Sequence, residues 1–272
     1  MSGERYPPTR EVAFVIALTA GASASRAPAL SPTEQAAIMR VLCDGELEKD
    51  AQGWICRDPG TDDFGQPWEQ RWLSAWRGRF VVRPDEWLVS LERPCMGSFC
   101  PREAYILRKV RGTWRRTHEL QVDKGIDDDC LPLGGMADGF DRLVCLDTAG
   151  PHQGFMFERL SVRSFAGGEE KTQPLMQKSQ GGECFLSDPG LPEHHDDVLT
   201  LSREAAPDRQ AAFTAHLQVR RGPCDPARRD KDVPVVVKSQ HVLRFIRRGN
   251  DVVPDAATAA IIQAEGWSPG KD

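Results

Sequence analysis

The densest set of metal-ligating side chains in the sequence is His194-His195-Asp196-Asp197, two imidazoles followed by two carboxylates. Zinc takes three or four such ligands, so His194, His195 and Asp196 are the candidates for a Zn site, to be completed by His118, His152, His216 or His241 from elsewhere. Neighbouring strand residues point to opposite faces, so both histidines reach one ion only from a loop, which Pro192 favours. With its ligand pattern incomplete, the segment reads first as a polar loop leading into a strand at Val198. Asp127-Asp128-Asp129 offers clustered carboxylates to Ca, a hard cation, but lacks the alternating spacing that turns several of them onto one ion and reads as a solvated turn. No cofactor is predicted beyond these two ions. The sequence contains no G-x-S-x-G elbow, no H-E-x-x-H pair and no G-x-x-x-x-G-K-[ST] phosphate loop. The pairs Gly134-Gly135, Gly167-Gly168 and Gly181-Gly182 read as turns. Trp68, Trp72 and Trp76 recur every fourth residue. On an exposed β face they would stack on sugar rings or meet a partner; as one helical face they would pack on a sheet, and core packing is the preferred reading.

All eight cysteines follow an N-terminal segment that resembles a secretory signal: Arg5 and Arg10, an apolar run from Val12 to Ala22, and Ala22-Ser23-Ala24 as a cleavage site. Residues 1–24 are expected to be removed, leaving 25–272 as a β-rich domain in a secreted or periplasmic location. An even cysteine count in an exported chain predicts disulfides. Pairing nearest neighbours gives Cys43 with Cys56, Cys95 with Cys100, Cys130 with Cys145 and Cys184 with Cys224, one of many connectivities that eight cysteines allow. No other stretch approaches the roughly 20 apolar residues of a membrane span, so no membrane insertion is expected after cleavage.

Residues 1–24 carry two acids and two bases, so the formal net charge of −5 is unchanged by their removal, which argues against general nucleic-acid binding. Two local basic runs stand out, Arg108-Lys109-Val110-Arg111 with Arg115-Arg116, and Arg228-Arg229-Asp230-Lys231; each reads as a solvated strand edge or loop.

The elements that must position these residues are mostly strands. Ser31-Pro32-Thr33-Glu34 opens a helix to about Leu42, with Ser31 as N-cap, Glu34 completing a capping box, and Ala36, Ile38, Met39 and Leu42 on one face. Trp54-Ile55-Cys56 is a short strand among loops. From Trp68 onward, β-rich runs bounded by Gly and Pro appear at 79–82, 87–91, 104–110, 142–146, 154–162, 198–201, 211–219, 233–237 and 240–246. A tight hairpin turn is expected within Val110-Arg111-Gly112-Thr113-Trp114, and a short helix after Pro254 with Asp255 in its first turn. Leu88, Leu143 and Val198 open similar strands about 55 residues apart, a period that stacked or radially arranged β units produce. The possible units cover about 68–120, 121–175 and 176–230.

The segment Ala137 to Cys145 resembles the Asp-Gly-x-x-Asp-hydrophobic ending of FG-GAP propeller repeats over about nine residues. In that family the preceding positions carry calcium ligands. Here Gly134 and Met136 occupy them, and no calcium site is carried over.

The fold expected is mainly β, an antiparallel sandwich or propeller-like array of short β units with a short N-terminal helix, stapled by disulfides. The function expected is that of an exported, non-catalytic binding or interaction module for a protein or carbohydrate ligand, with no nucleic-acid partner. The alternatives are an exported metal-dependent hydrolase using His194 or His195 with Asp196, and a cytosolic regulatory domain whose N-terminus is structural.

Overall fold

The computed structural model describes residues 30–61, 67–93, 102–120, 122, 126, 129–152, 155–180, 193–202, 210–223 and 235–270. Helix α1 (Pro32–Leu42) begins as its first residues dictate. The Ser31 hydroxyl accepts the Glu34 N–H at 3.3 Å while the Glu34 carboxylate accepts the Ser31 N–H at 3.3 Å, and Pro32 supplies a first-turn position that needs no donor. Ala36, Ile38, Met39 and Leu42 form its buried stripe.

Three antiparallel sheets follow. The first is a six-stranded meander in chain order: β1 (Glu46–Lys49), β2 (Trp54–Thr61), β3 (Pro67–Gly78), β4 (Glu86–Glu92), β5 (Arg102–Val110) and β6 (Thr113–Leu120). The second contains β7 (Cys130–Leu133), β8 (Arg142–His152), β9 (Phe155–Ser164) and β10 (Lys171–Gln180). The third contains β11 (Glu193–His195), β12 (Val198–Leu201), β13 (Ala211–Pro223), β14 (Val236–Arg248) and β15 (Asp251–Pro254). Helix α2 (Ala256–Ala264), with Asp255 as N-cap, leads to β16 (Ser268–Pro269), which pairs with β10 at the edge of the second sheet. Neither helix is long and apolar enough to cross a membrane.

Alternation along the strands stacks these layers. Leu88 and Ile106 join Trp76, Phe80, Leu143 and Cys145 in a core between the first and second sheets. Their chain neighbours Val89 and Leu107 face the other way, into a core with Ile38, Met39 and Leu42 of α1. Val144 and Leu160 of the second sheet pack against Leu217, Leu243 and Phe245 of the third, with Ile262 and Trp267 closing that core. Strands buried on both faces carry apolar runs such as 87–91, interrupted by the buried Ser90, and 104–107, which is why they were readable. The hairpins opened by Leu88, Leu143 and Val198 fall one in each sheet, pairing Leu88 with Ile106, Leu143 with Arg163 and Val198 with Gln218.

Two cross-links join elements to sheets. Cys43, at the C-cap of α1, is bonded to Cys56 of β2, and Cys130 of β7 is bonded to its direct cross-strand partner Cys145 of β8. Both pairs are those expected from nearest-neighbour spacing. Cys95, Cys100, Cys184 and Cys224 lie outside the described residues.

Two expectations about local structure are corrected. Trp68, Trp72 and Trp76 share a strand, β3, not a helical face. A bulge between Trp72 and Ser74 reverses the alternation, so Trp72 packs toward α1 whereas Trp76 enters the core between the first two sheets. Residues 79–82 form the connection between β3 and β4, not a strand. Phe80 and Val81 are nonetheless buried, and the Glu86 carboxylate replaces a neighbouring strand: it accepts the N–H groups of Phe80, Val81, Val82 and Arg83 at 2.7–3.0 Å. Val236 and Val237, at the end of the expected run 233–237, and the run at 240–246 belong to one long strand, β14, whose register shifts between Val237 and Ser239 opposite Arg220 and Val219; residues 233 and 234 lie outside the described residues.

Candidate functional site

Among the described residues, buried charged side chains gather in clusters at two places. Between the first two sheets, Arg163 is fully buried and pairs with Asp147 and, at 3.4 Å, with Glu170; Asp147 also accepts from Arg159 at 3.1 Å and from Ser161 at 3.2 Å. Between the second and third sheets, Asp197 is buried just before β12. It accepts from Lys178 Nζ at 2.6 Å, from the Arg221 guanidinium and from the Arg220 N–H at 3.2 Å. Burial by itself would raise the Asp197 carboxyl's pKa, but the hydrogen bonds from Lys178 and Arg221 outweigh it and hold the group below the usual carboxylate range. Lys178 also donates to the Glu265 carbonyl at 3.0 Å, fastening the end of α2 to the second sheet.

The His194-His195-Asp196-Asp197 segment is divided by this arrangement. His194 and His195 lie in β11, which pairs with residues 221–223 of β13, and the His194 side chain is outside the described residues. The Asp196 carboxylate pairs with Arg220 at 2.9 Å, and Asp197 belongs to the buried cluster. Asp127 and Asp128 lie outside the described residues, and among those described no three His, Cys, Asp or Glu side chains gather as a metal would require. Of the candidate tryptophans, Trp76 is buried, Trp72 is half-buried against the α1 core, and Trp68 is half-buried with the Arg93 guanidinium 4.1 Å over its ring.

Ser239, His241 and Glu265 also come together. His241 Nε2 lies 2.9 Å from Ser239 Oγ and 2.9 Å from Glu265 Oε1. A nucleophile-activating triad places the hydroxyl and the carboxylate on opposite nitrogens of the ring, so that the imidazole relays between them. Here both partners share one nitrogen, and the contact ties β14 to the end of α2.

The remaining concentration of chemistry-bearing groups is at one end of the first sheet. In an antiparallel meander, alternate connections fall at the same end. Because Gly78 pairs with Glu86 and Trp87 with Leu107, the β3–β4 loop and the β5–β6 hairpin share that end. The hairpin turns through Arg111 (φ 51°) and Gly112 (φ 84°), both left-handed, as a two-residue I′ turn requires. Its strands set Arg108 directly opposite Arg115, an unfavourable like-charge pair. Of the acids at this end, Glu34 pairs with Lys109 at 3.6 Å and Asp85 with Arg77 at 2.5 Å, while the buried Glu86 and half-buried Asp141 carboxylates accept backbone N–H groups of the β3–β4 connection, Asp141 that of Arg79 at 2.8 Å. Arg83, Arg108, Arg111 and Arg115 have no carboxylate partner among the described residues.

No family model, curated protein or solved structure gives a significant match to this chain.

The run at 108–116 is plain in the sequence as a solvated edge, and β6 is indeed an edge strand with mostly exposed side chains. Two things were not legible: the strand register that opposes Arg108 and Arg115, and the topology that brings Arg83 to their end. Val82, exposed at 49%, lies on the β3–β4 connection, and Val110, exposed at 38%, is the last residue of β5 beside the hairpin turn.

Proposed function

We propose that this chain is an exported, non-catalytic binding domain that engages an anionic partner through the cationic end of its first sheet. The observation that carries this reading is the set of four arginines, Arg83, Arg108, Arg111 and Arg115, without acidic partners among the described residues, on a chain of formal net charge −5. A local positive field on an acidic molecule attracts anions to one place while the rest of the surface repels them. Export is supported by the two disulfides, which persist in oxidising compartments, and by the signal-like N-terminal segment.

The test is retention of the purified protein on an immobilised sulfated polyanion, with the salt needed for elution as the readout. The wild-type chain is expected to bind at low ionic strength despite its net charge, and the double variant Arg108→Ser/Arg115→Ser to elute at clearly lower salt. Lys238→Ser, on the third sheet, should elute as the wild type does. Flow-through of the wild-type protein at low salt would remove this reading.

A further inference from the structure

We propose that the anionic partner is a lipid bilayer bearing acidic headgroups, on which the end of the first sheet docks peripherally. This rests on the binding role proposed above and names its partner. The unmatched arginines alone would suit any polyanion; the apolar groups among them decide. Val82 and Val110 are two of the five large hydrophobic side chains exposed in the described structure; Val82 lies on the β3–β4 connection and Val110 closes β5 beside the hairpin turn, both at the cationic end. Val110 lies in sequence between Lys109 and Arg111, and Val82 directly precedes Arg83. Small apolar groups ringed by cations suit the boundary between headgroups and acyl chains, where burial of apolar surface and attraction to anionic lipid act together.

A polysaccharide or single-stranded nucleic acid would instead need open aromatic faces for stacking. The aromatic rings nearest this end are not open: Trp114 is buried, and Trp87 is half-buried against it, edge to face at 6.2 Å. The supporting structure is stiff. Glu86 holds the β3–β4 loop through four backbone hydrogen bonds, and the two-residue turn fixes the hairpin, so binding need not order a mobile segment.

The experiment is co-sedimentation of the full chain with vesicles of phosphatidylcholine alone and of phosphatidylcholine mixed with phosphatidylglycerol, at low and high salt, beside retention on the sulfated polyanion. Sedimentation is expected only with the phosphatidylglycerol vesicles and is expected to fall with salt. Arg108→Ser/Arg115→Ser should weaken vesicle binding about thirtyfold, a factor of roughly five for each cation removed. Val82→Ser/Val110→Ser should weaken vesicle binding severalfold while leaving polyanion retention unchanged. All of these residues except half-buried Arg108 are exposed, and circular dichroism of each variant confirms that it is folded. Retention on the polyanion with no binding to acidic vesicles would overturn the lipid assignment and leave the binding role standing. Failure of both would overturn both. Vesicle binding indifferent to the valine substitutions would overturn docking through the valines.

Discussion

At the scale of single residues, the group on which most depends is Asp197. It is buried with two cations, Lys178 and Arg221, and its remaining acceptor capacity is used by a backbone N–H. Removing one partner of a buried ion cluster leaves the others without compensation, which costs about 3–5 kcal/mol. Asp197→Asn is therefore expected to destabilise the protein by about that amount at neutral pH, measured by denaturant unfolding. The pH dependence follows from the direction of the shift. The folded-state pKa of Asp197 lies below its unfolded value of about 3.9, so in the interval between the two the unfolded chain binds more protons than the folded one. Its contribution to stability is thus fully present above about pH 5 and is lost as the pH falls through the unfolded value and then the folded-state value. The Asn variant should show a shallower loss of stability over that acid range than the wild type. Equal acid slopes in the two proteins would mean that Asp197 is not held ionised by its neighbours.

At the scale of elements, the connection between β3 and β4 shows how one side chain can stand in for a strand. Glu86 accepts four successive backbone N–H groups from a loop whose apolar residues, Phe80 and Val81, help fill the core between the first two sheets. Glu86→Ala orphans all four donors, and even partial rescue by water leaves an expected loss of at least about 3 kcal/mol, with Glu86→Gln intermediate. A thermal melt of both variants checks this, and an unchanged midpoint for Glu86→Ala would show that the loop does not depend on the carboxylate. This loop was also where the sequence misled. Arg79-Phe80-Val81-Val82 has strand composition, and composition cannot distinguish a strand that pairs with a neighbour from a loop whose donors are met by a carboxylate four residues away. Elements that satisfy themselves locally were legible: the capping box at Ser31 and Glu34, the two-residue turn at Arg111-Gly112, and strands such as 198–201 whose alternation matches their burial. Elements defined by their neighbours were not. β10 contains Pro174 and many polar residues and was unreadable as a strand, yet it forms one because its register shifts immediately after that proline. The tryptophans of β3 recur at a spacing that suits one helix face or one strand face alike, and a bulge, invisible in the sequence, sends Trp72 and Trp76 to opposite faces of the sheet. For the candidate site the same division holds: the basic run is local and was seen, whereas its register and its union with Arg83 depend on pairing across the sheet.

At the scale of the whole molecule, the layers are joined by three apolar cores, and of the two disulfides one links α1 to the first sheet while the other acts within the second. Cys43–Cys56 fastens α1 to the first sheet and Cys130–Cys145 fastens β7 within the second, across sequence separations of 13 and 15 residues. Loops of that size confer about 3 kcal/mol each by restricting the unfolded chain, so together they rival the net stability of many domains. A fold that relies on them in this way belongs in a compartment where they form and persist. That dependence ties location to stability in one experiment: intact mass of the protein expressed with its native N-terminus in an export-competent host, with and without reduction before thiol alkylation. The expected product lacks residues 1–24 and gains eight alkyl groups only after reduction, and its melting temperature drops when the disulfides are reduced. An uncleaved chain whose cysteines alkylate freely would put the protein in a reducing compartment and overturn the exported reading together with the stabilising role of the disulfides.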